Sequence, residues 1–169
     1  DRAKGLWAGT FHSFGLRLLR EFHNEAELPA FFGVLDQSDS QSVLKEIMRD
    51  VKITGKDKFD LQTILEIINR RRVLGRAKTE GFDEYHEMAE MLLPKYLKKL
   101  ELMGAMDFEG LLLKPLELFK SHPEILTTIQ NRFQQVMVDE FQDTNVTQMK
   151  LIDYIISKHR NITVVGDDD

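Results

Sequence analysis

The stretch VMVDEFQDTN, residues 136–145, places a short apolar run directly before two adjacent carboxylates. Such a run is typical of a strand buried on both faces, as in the centre of a parallel sheet. Ligands of open α/β sheets bind at the carboxyl ends of these strands, where Asp139 and Glu140 would stand. One carboxylate there can hold Mg²⁺ on a nucleotide while its neighbour orients or deprotonates a water. The alternative is an acidic turn before a helix that Thr144 or Asn145 caps.

A second apolar run also ends in acidic residues. The run ITVV, residues 162–165, leads into GDDD, residues 166–169. A helix is expected between the two runs, from about 145 to 158, so that they form one parallel β-α-β unit with a right-handed crossover. Two neighbouring strands that both end in acidic loops indicate a ligand site rather than an isolated turn.

Composition limits the possible classes of protein. The 169 residues are 42% apolar and 30% charged, which is typical of a folded domain. No apolar run approaches the ~20 residues of a bilayer span, so we expect no membrane partner. The absence of cysteine excludes disulfides and is compatible with the cytoplasm, our expected location. None of the five histidines has zinc-like spacing. The net charge of -5 argues against a basic nucleic-acid binder, although a motor can grip a strand in a local groove.

The region before the acidic stretch has a helical period through most of its length. Residues 6–10 form a predicted strand, and 32–35 a short extended piece. Residues 38–40 offer N-cap side chains. Pro94 is expected to kink or split one long helix. Helices are predicted over about 13–25, 38–51, 59–72, 83–103, 107–120 and 123–132. Because strands lie only near the two ends and 26–103 looks wholly helical, we expect a helical subdomain inserted into an α/β domain.

Four elements along the chain together resemble the superfamily 1 DNA helicases of the UvrD/Rep/PcrA type. They are GTFHSF (9–14), MDFEGLL (106–112), DEFQDTN (139–145) and TVVGDDD (163–169), and they occur in the order found in that family. DEFQDTN is the most specific and resembles the family's Walker B element. The resemblance implies an α/β fold: a partial RecA-like (P-loop NTPase) parallel sheet from 1–25 and 104–169, with a mostly α-helical insertion at 26–103.

The resemblance also implies an activity for the parent protein. It would be an ATP-dependent DNA helicase that uses ATP and Mg²⁺, translocates on single-stranded DNA and unwinds forked duplex, 3′ to 5′, in replication or repair. The chain has no G-x-x-x-x-G-K-[ST] phosphate loop and both ends look cut, so we expect a piece that is inactive alone. Two alternatives stay open: the motor part of a helicase–nuclease, and a non-catalytic module for binding DNA or docking a partner.

The resemblance assigns roles at the nucleotide to individual residues. Glu140 would activate the attacking water, and Asp139 would hold Mg²⁺ through a water. Gln142 and Asp143 would relay the nucleotide state toward DNA. Asp143, Gly166 and Asp167 are also candidates for binding the nucleotide. Asp168 and Asp169 are expected to organise their loop rather than to bind metal.

Two further segments are candidates for DNA contact. Thr10, His12 and Ser13 stand where a strand would pass into a helix, and hydroxyls with free N–H groups there suit a phosphate of a single strand. The basic run Arg70, Arg71 and Arg72 falls at a helix C-terminus, where cations are stabilised in any case. Its alternative interpretation is a duplex-contacting patch on the insertion.

Asp107 opens a predicted helix, where the helix dipole and capping alone favour an acid. It belongs to the MDFEGLL element, but the family usually has a second acid where this chain has Gly110. A functional role for Asp107 is therefore not carried over.

Overall fold

The computed structural model describes residues 6–53, 58–75 and 83–167. The chain divides into two compact units, one from residues 1–30 with 111–169 and the other from 31–110. Each unit combines helices with one two-stranded parallel sheet. The protein is therefore a helix-rich α/β structure with small parallel sheets. Within the described ranges, no helix combines the length and the apolar character needed to cross a membrane.

The elements follow one another as α1 (Phe11–Glu21), β1 (Gly33–Leu35), α2 (Gln37–Asp50), α3 (Leu61–Leu74), α4 (Glu84–Met103), β2 (Ala105–Asp107), α5 (Phe108–Ser121), α6 (Pro123–Arg132), β3 (Val136–Val138), a 3₁₀ turn (Phe141–Asp143), α7 (Val146–Ile156) and β4 (Ile162–Val164).

The first unit contains the predicted β-α-β arrangement. β3 and β4 pair in parallel, with Val136 opposite Ile162, and α7 lies between them in the chain. Asn145 caps α7 through a reciprocal pair of hydrogen bonds with Gln148: the side chain of each accepts the backbone N–H of the other. This capping box fixes the end of the acidic turn, because it sets where the helix begins.

Two expectations about strands in this unit are wrong. Residues 6–10 form no strand; Thr10 instead caps α1, which begins at Phe11 rather than Ser13. A strand needs a neighbour to pair with, and neither sheet of the described chain includes this segment. β3 is not buried on both faces, because Met137 is 68% exposed. In the described part of the chain β4 is the only strand paired with β3.

The second unit is built around α2, α3 and α4. Their inward faces form one apolar core, which includes Leu44, Ile64, Ile68, Leu92 and Tyr96. The expectation that residues 26–103 are wholly helical is wrong, because β1 lies within this range and pairs in parallel with β2. The extended piece expected at 32–35 is confirmed as β1. β2 was not predicted, because its three residues look like the start of the next helix.

Helix ends in this unit follow capping side chains. α2 begins after Asp36 rather than within 38–40, because Asp36 and Asp39 form a reciprocal capping box. α4 continues through Pro94 without splitting. It ends at Gly104, whose φ of +58° lies in the left-handed region that favours glycine.

Candidate functional site

The acidic loops after β3 and β4 lie at the same edge of their sheet. The strands are parallel and in register, with Val138 opposite Val164. Beyond them, the Val165 N–H donates to the Val138 carbonyl at 2.8 Å, and the Phe141 N–H donates to the Val165 carbonyl at 2.9 Å. The backbone of each loop is thus tied to the other. This brings the segment 139–142 next to 166–167.

Asp139 presents an exposed carboxylate at the end of β3. Its Oδ1 accepts the Glu140 N–H at 3.1 Å. Carboxylate oxygens are the ligands that Mg²⁺ prefers, and Mg²⁺ in nucleotide sites uses one or two of them together with phosphate oxygens. The described residues contain no group of three or more His, Cys, Asp or Glu side chains placed to hold a metal. Asp139 is thus one exposed carboxylate at this edge of the sheet.

Glu140 has an unusual backbone conformation. Its φ of +50° and ψ of +46° lie in the left-handed region, which costs a residue other than glycine about 1–2 kcal/mol. The turn is held by the Asp143 N–H, which donates to the Glu140 carbonyl at 3.0 Å. Glu27, Lys52 and Arg160 also have a positive φ, so this conformation does not by itself mark a site. The Glu140 side chain is exposed and directly follows Asp139 in the chain.

The Gln142 side chain connects the two loops. Its Nε2 donates to Glu140 Oε2 at 2.6 Å, and its Oε1 accepts the Asp167 N–H at 3.3 Å. One planar amide thus contacts the carboxylate after β3 and the backbone after β4. Asp143 is exposed in the same 3₁₀ turn. Asp168 and Asp169 lie outside the described residues.

The candidate DNA-contacting residues of the first unit lie at the start of α1. Thr10 Oγ1 accepts the Ser13 N–H at 3.2 Å, and Ser13 Oγ donates to the Thr10 carbonyl at 2.8 Å. The N–H of Ser13 is therefore already engaged in capping. Partial burial lowers the pKa of His12 below its usual value, which favours the neutral form of the imidazole.

The three arginines of the basic run have different environments. Arg70 is exposed. Arg71 is buried and pairs with Glu90 at 3.3 Å. Arg72 makes a bidentate pair with Asp107, at 2.6 Å from Nη1 and 3.1 Å from Nη2. The expectation of a three-arginine patch is corrected accordingly, because Arg71 and Arg72 are held inside the second unit. Arg70 alone stays a candidate for a phosphate contact.

Sequence reasoning missed the buried cluster around Asp107. Besides Arg72, this carboxylate accepts the Tyr96 hydroxyl at 2.9 Å and the Gly110 N–H at 2.9 Å. Burial, and then the charge of Asp107, raises the pKa of the Tyr96 hydroxyl well above its usual value. No local pattern could reveal this cluster, because Arg72 and Asp107 are 35 residues apart.

Comparison with known proteins identifies the family. All of the chain, residues 1–169, matches the UvrD/REP helicase N-terminal domain. It is 34% identical over its whole length to the ATP-dependent DNA helicase PcrA of Staphylococcus aureus strain Mu50, and 31% identical to PcrA of Staphylococcus epidermidis strain RP62A. The chain spans 24% of the length of each of these relatives. Both the match and the identities confirm the resemblance found in the motifs, and the chain belongs to the UvrD/REP helicase family.

Proposed function

We propose that this chain is part of the motor of an ATP-dependent DNA helicase. The observation that carries the proposal is the edge of the β3–β4 sheet, where two acidic loops meet and the Gln142 amide joins them. Ligand sites of α/β folds lie at such carboxyl ends of parallel strands. The relatives are named ATP-dependent DNA helicases, which supports the same activity here.

In this proposal the two units have separate roles. The unit from residues 1–30 and 111–169 is part of a RecA-like ATPase domain, and the unit from 31–110 is a helical subdomain inserted into it. The parallel pairing of β3 with β4 and the helix between them support the first assignment. The apolar core shared by α2, α3 and α4 supports the second.

The residues of the acidic edge would act on ATP as follows. Asp139 would hold Mg²⁺, and the bound ion would neutralise charge on the phosphate oxygens. Glu140 would orient the attacking water and take its proton, since its carboxylate is exposed next to Asp139. Gln142 would keep that carboxylate in place through the 2.6 Å bond from Nε2 to Oε2. Asp143, Gly166 and Asp167 would complete the walls of the nucleotide site.

DNA would be bound by two separate sets of residues, one at the start of α1 and one on the helical subdomain. Thr10 and Ser13 are exposed and His12 is half-buried, so a phosphate of a single strand could reach these polar groups. Arg70 would contact the duplex ahead of a fork by charge alone.

Translocation is proposed to run 3′ to 5′ on single-stranded DNA. The 169-residue chain is predicted to be inactive by itself.

Strand separation by the intact protein tests the proposed function. With ATP and Mg²⁺ we expect it to unwind a forked duplex, and with a non-hydrolysable ATP analogue we expect no unwinding. Charge reversal at Arg70 should weaken binding of the same fork, whereas reversal at Arg49, an exposed residue of α2, should not. A protein that hydrolyses no ATP in the presence of DNA, or that separates strands equally well with the analogue, would contradict the proposal.

A further inference from the structure

We infer that Gly166 and Gln142 act as a pair of positioning residues for Glu140: the absence of a side chain at 166 leaves the space into which the Gln142 amide fits. The inference rests on the proposed function, because it concerns how the carboxylate that would activate water is held. It adds a role for a glycine in the loop after β4 that neither the motifs nor the family assignment supplies.

The fit between Gly166 and Gln142 is close. A Cβ atom built on Gly166 would lie 2.5 Å from Gln142 Oε1 and 3.3 Å from the Phe141 nitrogen. Side-chain carbons do not approach an oxygen so closely, so a larger residue at 166 must displace the amide. Gly166 is not among the described glycines with positive φ, which are Gly75 and Gly104. Its φ therefore allows alanine. The severe clash falls on the movable end of the Gln142 side chain, and the new carbon would also lie tightly against the backbone nitrogens of Phe141 and Gln142, at 3.3 and 3.4 Å.

Displacement of the Gln142 amide would release Glu140. The amide is planar and rigid, so moving Oε1 away from residue 166 also moves Nε2 and disturbs its 2.6 Å bond to Glu140 Oε2. The bond from the Asp167 N–H to Oε1 would be lost in the same movement. Glu140 is exposed and its carboxylate has no other hydrogen-bond donor among the described contacts, so it would sample other rotamers. Its backbone turn would persist through the Phe141 and Asp143 N–H bonds.

The expected kinetic effect is on turnover rather than on ATP binding. A misplacement of about 1 Å in a catalytic group can cost up to ~10²-fold in rate, so we expect kcat of the intact helicase to fall roughly 10-fold in both Gly166→Ala and Gln142→Ala. KM for ATP should stay within about twofold, because Asp139 is untouched. The double variant should be about as slow as Gln142→Ala alone, since the one severe clash at residue 166 is with that side chain.

A matched glycine substitution serves as the control. Gly33 in β1 also lacks a positive φ, and a Cβ atom added there would meet only the Ala105 Cβ, at an ordinary 3.6 Å. Gly33→Ala should leave kcat unchanged. This comparison separates the effect of an added methyl group on the chain from its effect on the Gln142 amide.

A spectroscopic measurement on the 169-residue chain gives a second readout that needs no catalysis. In ¹H–¹⁵N spectra, Gly166→Ala should shift the Gln142 side-chain amide signals and the Asp167 N–H. The Gln130 side-chain amide, which donates to the Tyr154 carbonyl and to Ser157 Oγ, should keep its position and so reports an intact fold. If Gly166→Ala loses the Gln130 signals, Gln142→Ala decides the question, because that variant introduces no clash.

The outcomes separate this inference from the proposed function. A Gly166→Ala protein with unchanged Gln142 signals and unchanged kcat would overturn the inference. The inference would also fail if the kcat of the double variant fell by the product of the two single-variant decreases. If Glu140→Gln lowers turnover while Gln142→Ala does not, the inference fails and the proposed function stands. If Glu140→Gln leaves turnover intact, the role proposed for Glu140 fails and this inference fails with it. If the intact protein hydrolyses no ATP in the presence of DNA, the proposed function itself fails.

Discussion

Glu140→Gln is expected to lower ATP hydrolysis by the intact helicase roughly 10²–10⁴-fold, the range typical of losing a positioned general base. Glutamine keeps the size of the side chain but cannot take a proton from water. Asp139 remains in place in this variant, so the affinity for Mg-ATP should stay within about twofold. The measurement is steady-state turnover with DNA present, alongside nucleotide affinity from equilibrium titration.

The control for this substitution is another acid-to-amide change in the same unit. Asp153 is exposed on α7, away from the acidic turn in the chain, and Asp153→Asn should leave turnover unchanged. Equal decreases in ATP turnover in Glu140→Gln and Asp153→Asn would indicate a general effect of removing a negative charge. A Glu140→Gln protein with normal turnover would show that the base lies elsewhere.

Asp107→Ala is expected to destabilise the unit at 31–110 by about 3–5 kcal/mol, as is usual when one partner of a buried ion pair is removed. The Arg72 and Asp107 side chains are only 11% and 4% exposed, so the guanidinium would be left in the interior without its counter-charge, keeping only its bond to Asn69 Oδ1. The Tyr96 hydroxyl and the Gly110 N–H would lose the same acceptor. Hydrogen-exchange protection of the α3 and α4 amides measures this loss within the unit.

A more exposed pair of the same chemistry provides the comparison. Arg132 and Glu21 are also bidentate, at 2.8 and 2.6 Å, but their side chains are 38% and 35% exposed. Water can replace the lost partner there, so Glu21→Ala should cost no more than about 1 kcal/mol. Trp7 is the only tryptophan of the chain and contacts Phe14 edge-on in the unit formed by residues 1–30 and 111–169. Its fluorescence can therefore follow the unfolding of the unit that contains Glu21 and Arg132. Similar destabilisation by the two substitutions would refute a special role for burial at Asp107.

The elements that could be predicted from the sequence are those fixed by local pattern. The long apolar period of α4 and the proline that starts α6 indicated their bounds to within a residue. The apolar runs before DE and GDDD placed β3 and β4, and Asn145 capped α7 as one of two candidates. Strands without a visible partner were less predictable. Residues 6–10 look like a strand but pair with nothing in the described chain, whereas β2 pairs with β1 across a long helical stretch.

The candidate site likewise has features that could be predicted from the sequence and features that could not. The proximity of segments 139–142 and 166–167 follows from parallel strands, which bring their carboxyl ends to one edge. The bridging role of Gln142 and the left-handed turn at Glu140 could not be foreseen, because they depend on how a 3₁₀ turn directs one amide. The sequence also did not show that Arg71 and Arg72 are held in ion pairs within their unit. Charge at a helix C-terminus does not reveal that a distant Asp107 or Glu90 neutralises it.

The loops after β3 and β4 are proposed to surround the metal of a bound nucleotide together, and every role assigned to the acidic edge depends on this. Iron-directed cleavage tests it most directly: Fe²⁺ replaces Mg²⁺ in the intact protein with a non-hydrolysable ATP analogue, and ascorbate with peroxide then cuts the backbone near the ion. We predict cuts in both 138–142 and 165–167 that require the analogue and disappear in Asp139→Ala. Cuts confined to one loop or to other segments, or cuts that do not depend on the nucleotide, would contradict the account.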